Sequence, residues 1–130
     1  IVYLDAQATL REAEERDAEL ARGHSRGLLH GVPFTVKDCF ATIGTPTTCG
    51  VPAWTGLVSH RDAVVIRQLR EAGAGLLAKT SLPPGLSAFE TDNQVIGRTR
   101  NPYAPERSSG GSRSSRAIST PCTVSGMPGL

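Results

Sequence analysis

The sequence has little of what marks several protein classes. Its cysteines, Cys39, Cys49 and Cys122, are odd in number, and no C-x-x-C occurs. Neither a disulfide framework nor a zinc site is supported, and the three read as reduced thiols. His24, His30 and His60 are scattered without ligand spacing, so no metal and no cofactor is expected. No apolar run is long enough to form a membrane-crossing helix. There is no initiator methionine, and the start, Ile1-Val2-Tyr3-Leu4-Asp5, lacks the basic region of a signal peptide. The chain therefore reads as one entered in mid-protein, with a cytoplasmic location expected. Charge of either sign is nearly balanced, with a formal net of only +2. That leaves no strong electrostatic case for a nucleic-acid or membrane partner.

What is present suits a globular chain. It has 130 residues, 38% of them hydrophobic and 20% charged, in the range of one soluble domain. From Asp5 to Arg22 the spacing predicts a helix, with Asp5 as N-cap, Gly23 after its end, and Ala6, Leu10, Ala13 and Leu20 near one face. Val32, Phe34 and Val36 alternate in a strand that ends at Lys37. The Gly, Pro and Thr content of 44–55 predicts a loop. Asp62 is the expected cap of a second helix carrying Val65, Ile66, Leu69 and Ala72, which Gly73 stops. Gly75 to Lys79 reads as a short buried strand. Strand, helix, strand is a crossover unit of an α/β fold. From Gly97 onward the chain reads as loop, and no internal repeat is found.

Two features carry chemistry. The first is Lys37 at the end of an apolar strand. Burial disfavours a charged amine, and a neutral amine can act as general base toward a serine hydroxyl. By itself the pattern also fits a solvated lysine closing a surface strand. The second is Gly110-Gly111-Ser112. Paired glycines let the backbone approach a ligand closely, so a serine there can present its hydroxyl and N–H to one point. By itself this also fits a flexible linker or, with Arg113 and Arg116, a phosphorylatable Arg/Ser segment.

In this order, and with the text between them, the two become specific. The blocks Gly31-Val32-Pro33-Phe34-Thr35-Val36-Lys37-Asp38, Gly44-Thr45-Pro46-Thr47-Thr48 and Asp62-Ala63-Val64-Val65 recur in order with Leu69-Arg70-Glu71-Ala72-Gly73-Ala74 and Leu77-Ala78-Lys79-Thr80. Gly97-Arg98-Thr99, Asn101-Pro102-Tyr103 and Gly110-Gly111-Ser112 complete the series. The sequence resembles the amidase-signature family over nearly everything up to Ser112. The resemblance implies an α/β fold, here a partial mixed sheet covered by helices. It implies the N-terminal part of that domain over 1–112, followed by a diverged or disordered tail over 113–130. It also implies hydrolysis of a small-molecule amide through a Ser–Ser–Lys triad. In that triad Lys37 is the base and Ser112 the bridging serine, held at a cis peptide bond. Gly110 and Gly111 then belong to the substrate-binding loop, and Leu86 borders an acyl pocket.

The largest departures from the family pattern fall after Ser112, and two smaller ones precede it. Arg113-Ser114-Ser115-Arg116 replaces a second serine, two glycines and a small-residue helix. No Gly-Gly-Ser block, which supplies the family's nucleophile and oxyanion-hole donors, lies between Ser112 and Leu130. Ser119 and Ser125 are not preceded by glycines and are rejected as nucleophiles. Cys39 stands where asparagine is common, and Ser81-Leu82-Pro83-Pro84 departs from the usual asparagine-containing turn. A frameshift, an alternative ending and a gene fragment all fit this pattern. Three functional readings follow: a carbon–nitrogen hydrolase represented by a partial chain without its nucleophile; a non-catalytic remnant that binds another polypeptide or has no function; and a small module whose Ser/Arg loop contacts phosphate or nucleic acid. The near-neutral charge argues against the last.

Overall fold

The structure, a computed structural model, describes residues 1–109. The first helix, α1, runs Ala6–Ala21. Asp5 caps it as expected, its carboxylate accepting the Ala8 N–H at 2.9 Å. At its end the Gly23 N–H donates to the Leu20 carbonyl at 2.9 Å and the His24 N–H to the Glu19 carbonyl at 2.9 Å. This is a Schellman closure, and it needs the positive φ of +76° that Gly23 adopts.

The strands β1 (Pro33–Lys37) and β2 (Gly75–Thr80) pair in parallel, joined by a crossover that contains α2 (Val64–Glu71). The strand–helix–strand reading is therefore correct, and the chain is α/β. Tyr3 adds an antiparallel bridge on the other side of β2, where the Lys79 N–H donates to its carbonyl at 2.9 Å. The hydrogen-bonded order is thus the Tyr3 segment, β2, β1, with β1 unpaired on its outer edge among the described residues. A two-residue hairpin of β3 (Asp92–Asn93) and β4 (Gly97–Arg98) lies apart. It corrects the expectation of unbroken loop from Gly97: Asn93 closes the turn by accepting the Val95 and Ile96 N–H groups at 3.0 Å each. Between β1 and α2 a loop is stitched at its base by bridges Ile43↔Ser59 and Pro46↔Val58, and a 3₁₀ turn, Pro52–Trp54, lies near its tip.

Two expectations about the helices are corrected. Asp62 does not cap α2, whose N-cap is Ala63. The Asp62 carboxylate is taken instead by the Ile43 N–H at 2.7 Å and by Arg70 at 3.4 Å. The apolar face expected on α1 points to solvent, with Leu10 63% and Leu20 59% exposed. The face turned inward carries Arg16, which is only 3% exposed. Its guanidinium donates to the Gly73 carbonyl at 3.0 Å, to the Ala74 carbonyl at 3.4 Å and to Glu12 at 2.7 Å. Planar donors thus clamp α1 onto the turn between α2 and β2. That turn is tight: at Gly73, φ is +97° and a Cβ would stand 2.8 Å from the His30 Cα.

Among the described residues the buried apolar set is small: Val36, Ile66, Ala74, Ala78 and Leu82. Buried polar residues are more numerous and gather around the carboxyl ends of β1 and β2, including Asp38, Thr48, Lys79, Thr80 and Ser81. No helix there is long and apolar enough to cross a membrane.

Candidate active site

Lys37 and Lys79 end the same kind of apolar run, yet they meet opposite environments. The register explains why. Val36 pairs with Lys79 and Lys37 with Thr80, and successive residues of a strand face opposite sides of the sheet. Lys79 therefore shares a face with Val36 and, one step further, with Asp38. Lys37 and Thr80 share the other face.

On the first face a polar cluster is closed off from water. Lys79 is 0% exposed and Asp38 1%. The Lys79 ammonium lies 3.0 Å from Asp38 Oδ1, donates to Thr47 Oγ1 at 3.0 Å and makes a short hydrogen bond to the Pro46 carbonyl. Its three donors are matched by three oxygens. Asp38 Oδ2 accepts the Thr48 N–H at 3.0 Å and a short bond from the Thr48 hydroxyl, which in turn accepts the Gly50 N–H at 3.1 Å. Oδ1 meets Lys79 as an ion pair rather than an aligned hydrogen bond and keeps accepting capacity. The Asp38 backbone is held too: its N–H donates to the Thr80 carbonyl at 3.0 Å, and its carbonyl accepts the Cys49 N–H at 3.2 Å. Two charges removed from water need partners of this kind to persist.

On the opposite face Lys37 is half-buried and makes no ion pair or side-chain hydrogen bond among the described residues. Its carbonyl accepts the Phe40 N–H at 3.0 Å, turning the chain as the strand ends. Of the two lysines, it is the one whose amine is not committed to a partner among the described residues.

Cys39 and Cys49 are free thiols, half-buried beside this turn. Burial pushes the Cys49 thiol above its ordinary value. Cys39 and Asp38 add to the rise, and Lys79 opposes it. Cys49 also holds a φ of +48°, uncommon for a residue with a side chain. Leu86 ends a 3₁₀ turn at φ +62° and is 54% exposed. A hollow of about 450 Å³ opens nearby, and Pro84, Gly50 and Asn93 line it while Leu86 does not. Gly110, Gly111, Ser112 and Cys122 lie outside the described residues, as does the 113–130 tail. The structure therefore brings Lys37 and Asp38 together at one strand end but does not place Lys37 against Ser112.

Sequence reasoning assigned no role to Asp38, Thr48 or Lys79. A signal was present for one of them: Leu76-Leu77-Ala78-Lys79 repeats the pattern that singled out Lys37, a lysine ending an apolar strand.

Comparison with known proteins bears on the family and the fold. The Amidase family model matches residues 1–120. The A subunit of a glutamyl-tRNA(Gln) amidotransferase from Acidothermus cellulolyticus is 41% identical over 111 residues, which is 85% of this chain and 22% of that protein. An acylamidase from Rhodococcus erythropolis is 40% identical over 112 residues, 86% of this chain and 24% of its own length. The structure of the peptide amidase from Stenotrophomonas maltophilia superposes with a TM-score of 0.75 at 37% identity, covering 86% of this chain and 24% of that one. The chain thus spans less than a quarter of the length of these relatives. A matched family model over most of the sequence, aligned relatives and a shared fold lead to one conclusion: the chain belongs to the amidase family.

Proposed function

We propose that the protein is the lysine-bearing portion of a carbon–nitrogen hydrolase that acts on a small-molecule amide through a Ser–Ser–Lys triad. One observation supports this above the others. Lys37 leaves the carboxyl end of the parallel strand β1 without an ion pair among the described residues, while the only other lysine, Lys79, is committed to a carboxylate. In this reading Lys37 takes the proton of a nucleophilic serine through Ser112 and returns it to the leaving amine, lysine standing where histidine stands in other serine hydrolases. Gly110 and Gly111 let the Ser112 loop approach, and Leu86 borders the acyl group. The nucleophile itself has no counterpart between Ser112 and Leu130, so residues 1–130 alone are expected to turn over no amide.

A chimera tests the assignment. Residues 1–112 replace the matched segment of the Rhodococcus erythropolis acylamidase, and hydrolysis of its amide substrate is followed. Changing Lys37 to alanine is expected to lower kcat by about 10²–10⁴-fold, the usual contribution of a general base. Changing Ser112 to alanine should lower it without abolishing it, because the nucleophile stays. An active chimera indifferent to Lys37→Ala would refute the base assignment. Robust aryl-amide hydrolysis by the 130-residue chain, lost on changing Ser119 or Ser125, would show that the nucleophile lies within it. If the chimera is inactive and the chain captures another polypeptide, the non-catalytic reading is favoured.

A further inference from the structure

We propose that the buried Asp38–Lys79 pair is a positioning device for Lys37: it locks the carboxyl ends of β1 and β2 and the 46–49 segment together on one face of the sheet, fixing the backbone from which Lys37 departs on the other. The catalytic meaning of this rests on the reading of Lys37 as base; the geometry does not. Asp38 directly follows Lys37 and is held at each of its polar groups. Its N–H extends the ladder to Thr80, its carbonyl takes Cys49, and its carboxylate takes Thr48 and Lys79. Lys79 carries the hold onward to Pro46 and Thr47, more than thirty positions away in sequence. The residue after Lys37 is thereby tied to both strands and to the loop.

A buried ion pair is poor evidence for stability, since well-packed apolar residues in its place are often as good or better. A role in selecting one arrangement accounts for it here. Lys37 has a flexible side chain and no partner of its own among the described residues. Its orientation therefore depends on the backbone at its root, and that is where the pair acts. A proton acceptor must sit within about 2.6–3.2 Å of its donor, so a loosened root would scatter the amine out of reach.

The composition provides a clean probe, because Lys37 and Lys79 are the only lysines in the chain. Methylation of the native 130-residue chain with ¹³C-formaldehyde and a hydride donor should label the N-terminal amine and Lys37 and leave Lys79 unmodified. The Lys37 dimethyl resonance then reports its surroundings by NMR. Two variants remove the pair: Asp38→Asn, and the double replacement Asp38→Leu with Lys79→Met, which leaves no buried charge behind. In a variant that keeps its circular dichroism and thermal transition, the Lys37 resonance should narrow and move to the position of free dimethyl-lysine. The amides of residue 38 and of Cys49 should exchange with solvent about tenfold faster or more than in the unsubstituted chain, the loss expected of charge-assisted hydrogen bonds.

Unchanged resonance and exchange in a folded variant would overturn the proposal. So would failure of both variants to fold, which would make the pair a determinant of global stability, and so would methylation of Lys79 in the unsubstituted chain. Neither readout uses turnover. A catalytically idle Lys37 would refute the base assignment and leave this result standing, and the converse also holds.

Discussion

At the scale of single residues, neighbours in sequence have different fates because a strand alternates its faces. Lys37 and Asp38 are adjacent, yet among the described residues one is half-buried and uncommitted while the other is sealed against Lys79. The thiols next to them show the same local control. Burial raises the Cys49 thiol, so less thiolate is present near neutral pH, and the thiolate is the reactive form. Cys49 should therefore react with iodoacetamide more slowly than a cysteine in an unstructured peptide at the same pH, and denaturant should remove the difference. Equal rates in the folded chain would contradict the burial. A second prediction concerns Glu19, whose carboxyl is held below its ordinary value of 4.5 chiefly by the hydrogen bonds from Arg26 at 2.7 Å. A carboxyl lowered on folding adds stability above its unfolded value and loses it as pH falls through the folded one. Arg26→Ala should thus weaken the chain at neutral pH and make no difference once Glu19 is protonated in acid. Urea titrations of both proteins across that range check the sign, and because the pair is near the surface the effect should shrink in salt.

At the scale of elements, α1 shows how a correct helix can face an unexpected way. Its caps were legible because Asp5 and Gly23 act through their own local chemistry. Its inward face was not, because Arg16 is drawn in by carbonyls of Gly73 and Ala74 far along the chain. Replacing Arg16 with alanine leaves those carbonyls without their charged donor and should cost about 2–3 kcal/mol in chemical denaturation. Lysine should not restore it, lacking the fork. Leu10→Ser, on the face expected to be buried, should change stability by less than about 0.5 kcal/mol. A larger cost for Leu10→Ser than for Arg16→Ala would reverse this picture. The same division holds elsewhere. β1, β2 and their crossover followed from apolar runs and glycine stops. The cap of α2 did not, because Asp62 is claimed by the distant Ile43 N–H. At the site, Lys37 stood out from its strand. The Asp38–Lys79 pair needed the register between two strands, which no local pattern contains.

At the scale of the whole molecule, apolar surface is abundant and its burial sparse. Leu28 and Phe89 are 101% and 91% exposed, and β1 offers an unpaired edge among the described residues. Such surfaces and edges promote association. The isolated chain is expected to be marginally stable, to bind an apolar dye and to show light scattering that grows with concentration. A sharp, monomeric transition at high temperature would contradict this. The stitched loop between β1 and α2 behaves differently. Its legs are fastened where Thr47 donates to the Leu57 carbonyl at 3.1 Å and where the Lys79 ammonium meets Pro46, while Pro52 to Gly56 at the tip are exposed. The single tryptophan, Trp54, sits on that tip. Its emission is therefore a local lamp rather than a gauge of the fold, and it should respond to a quencher while the sheet is intact. The tip is also where the chain should best accept a spliced-in epitope or affinity tag, since each doubling of a flexible loop adds only about 0.6 kcal/mol of closure cost.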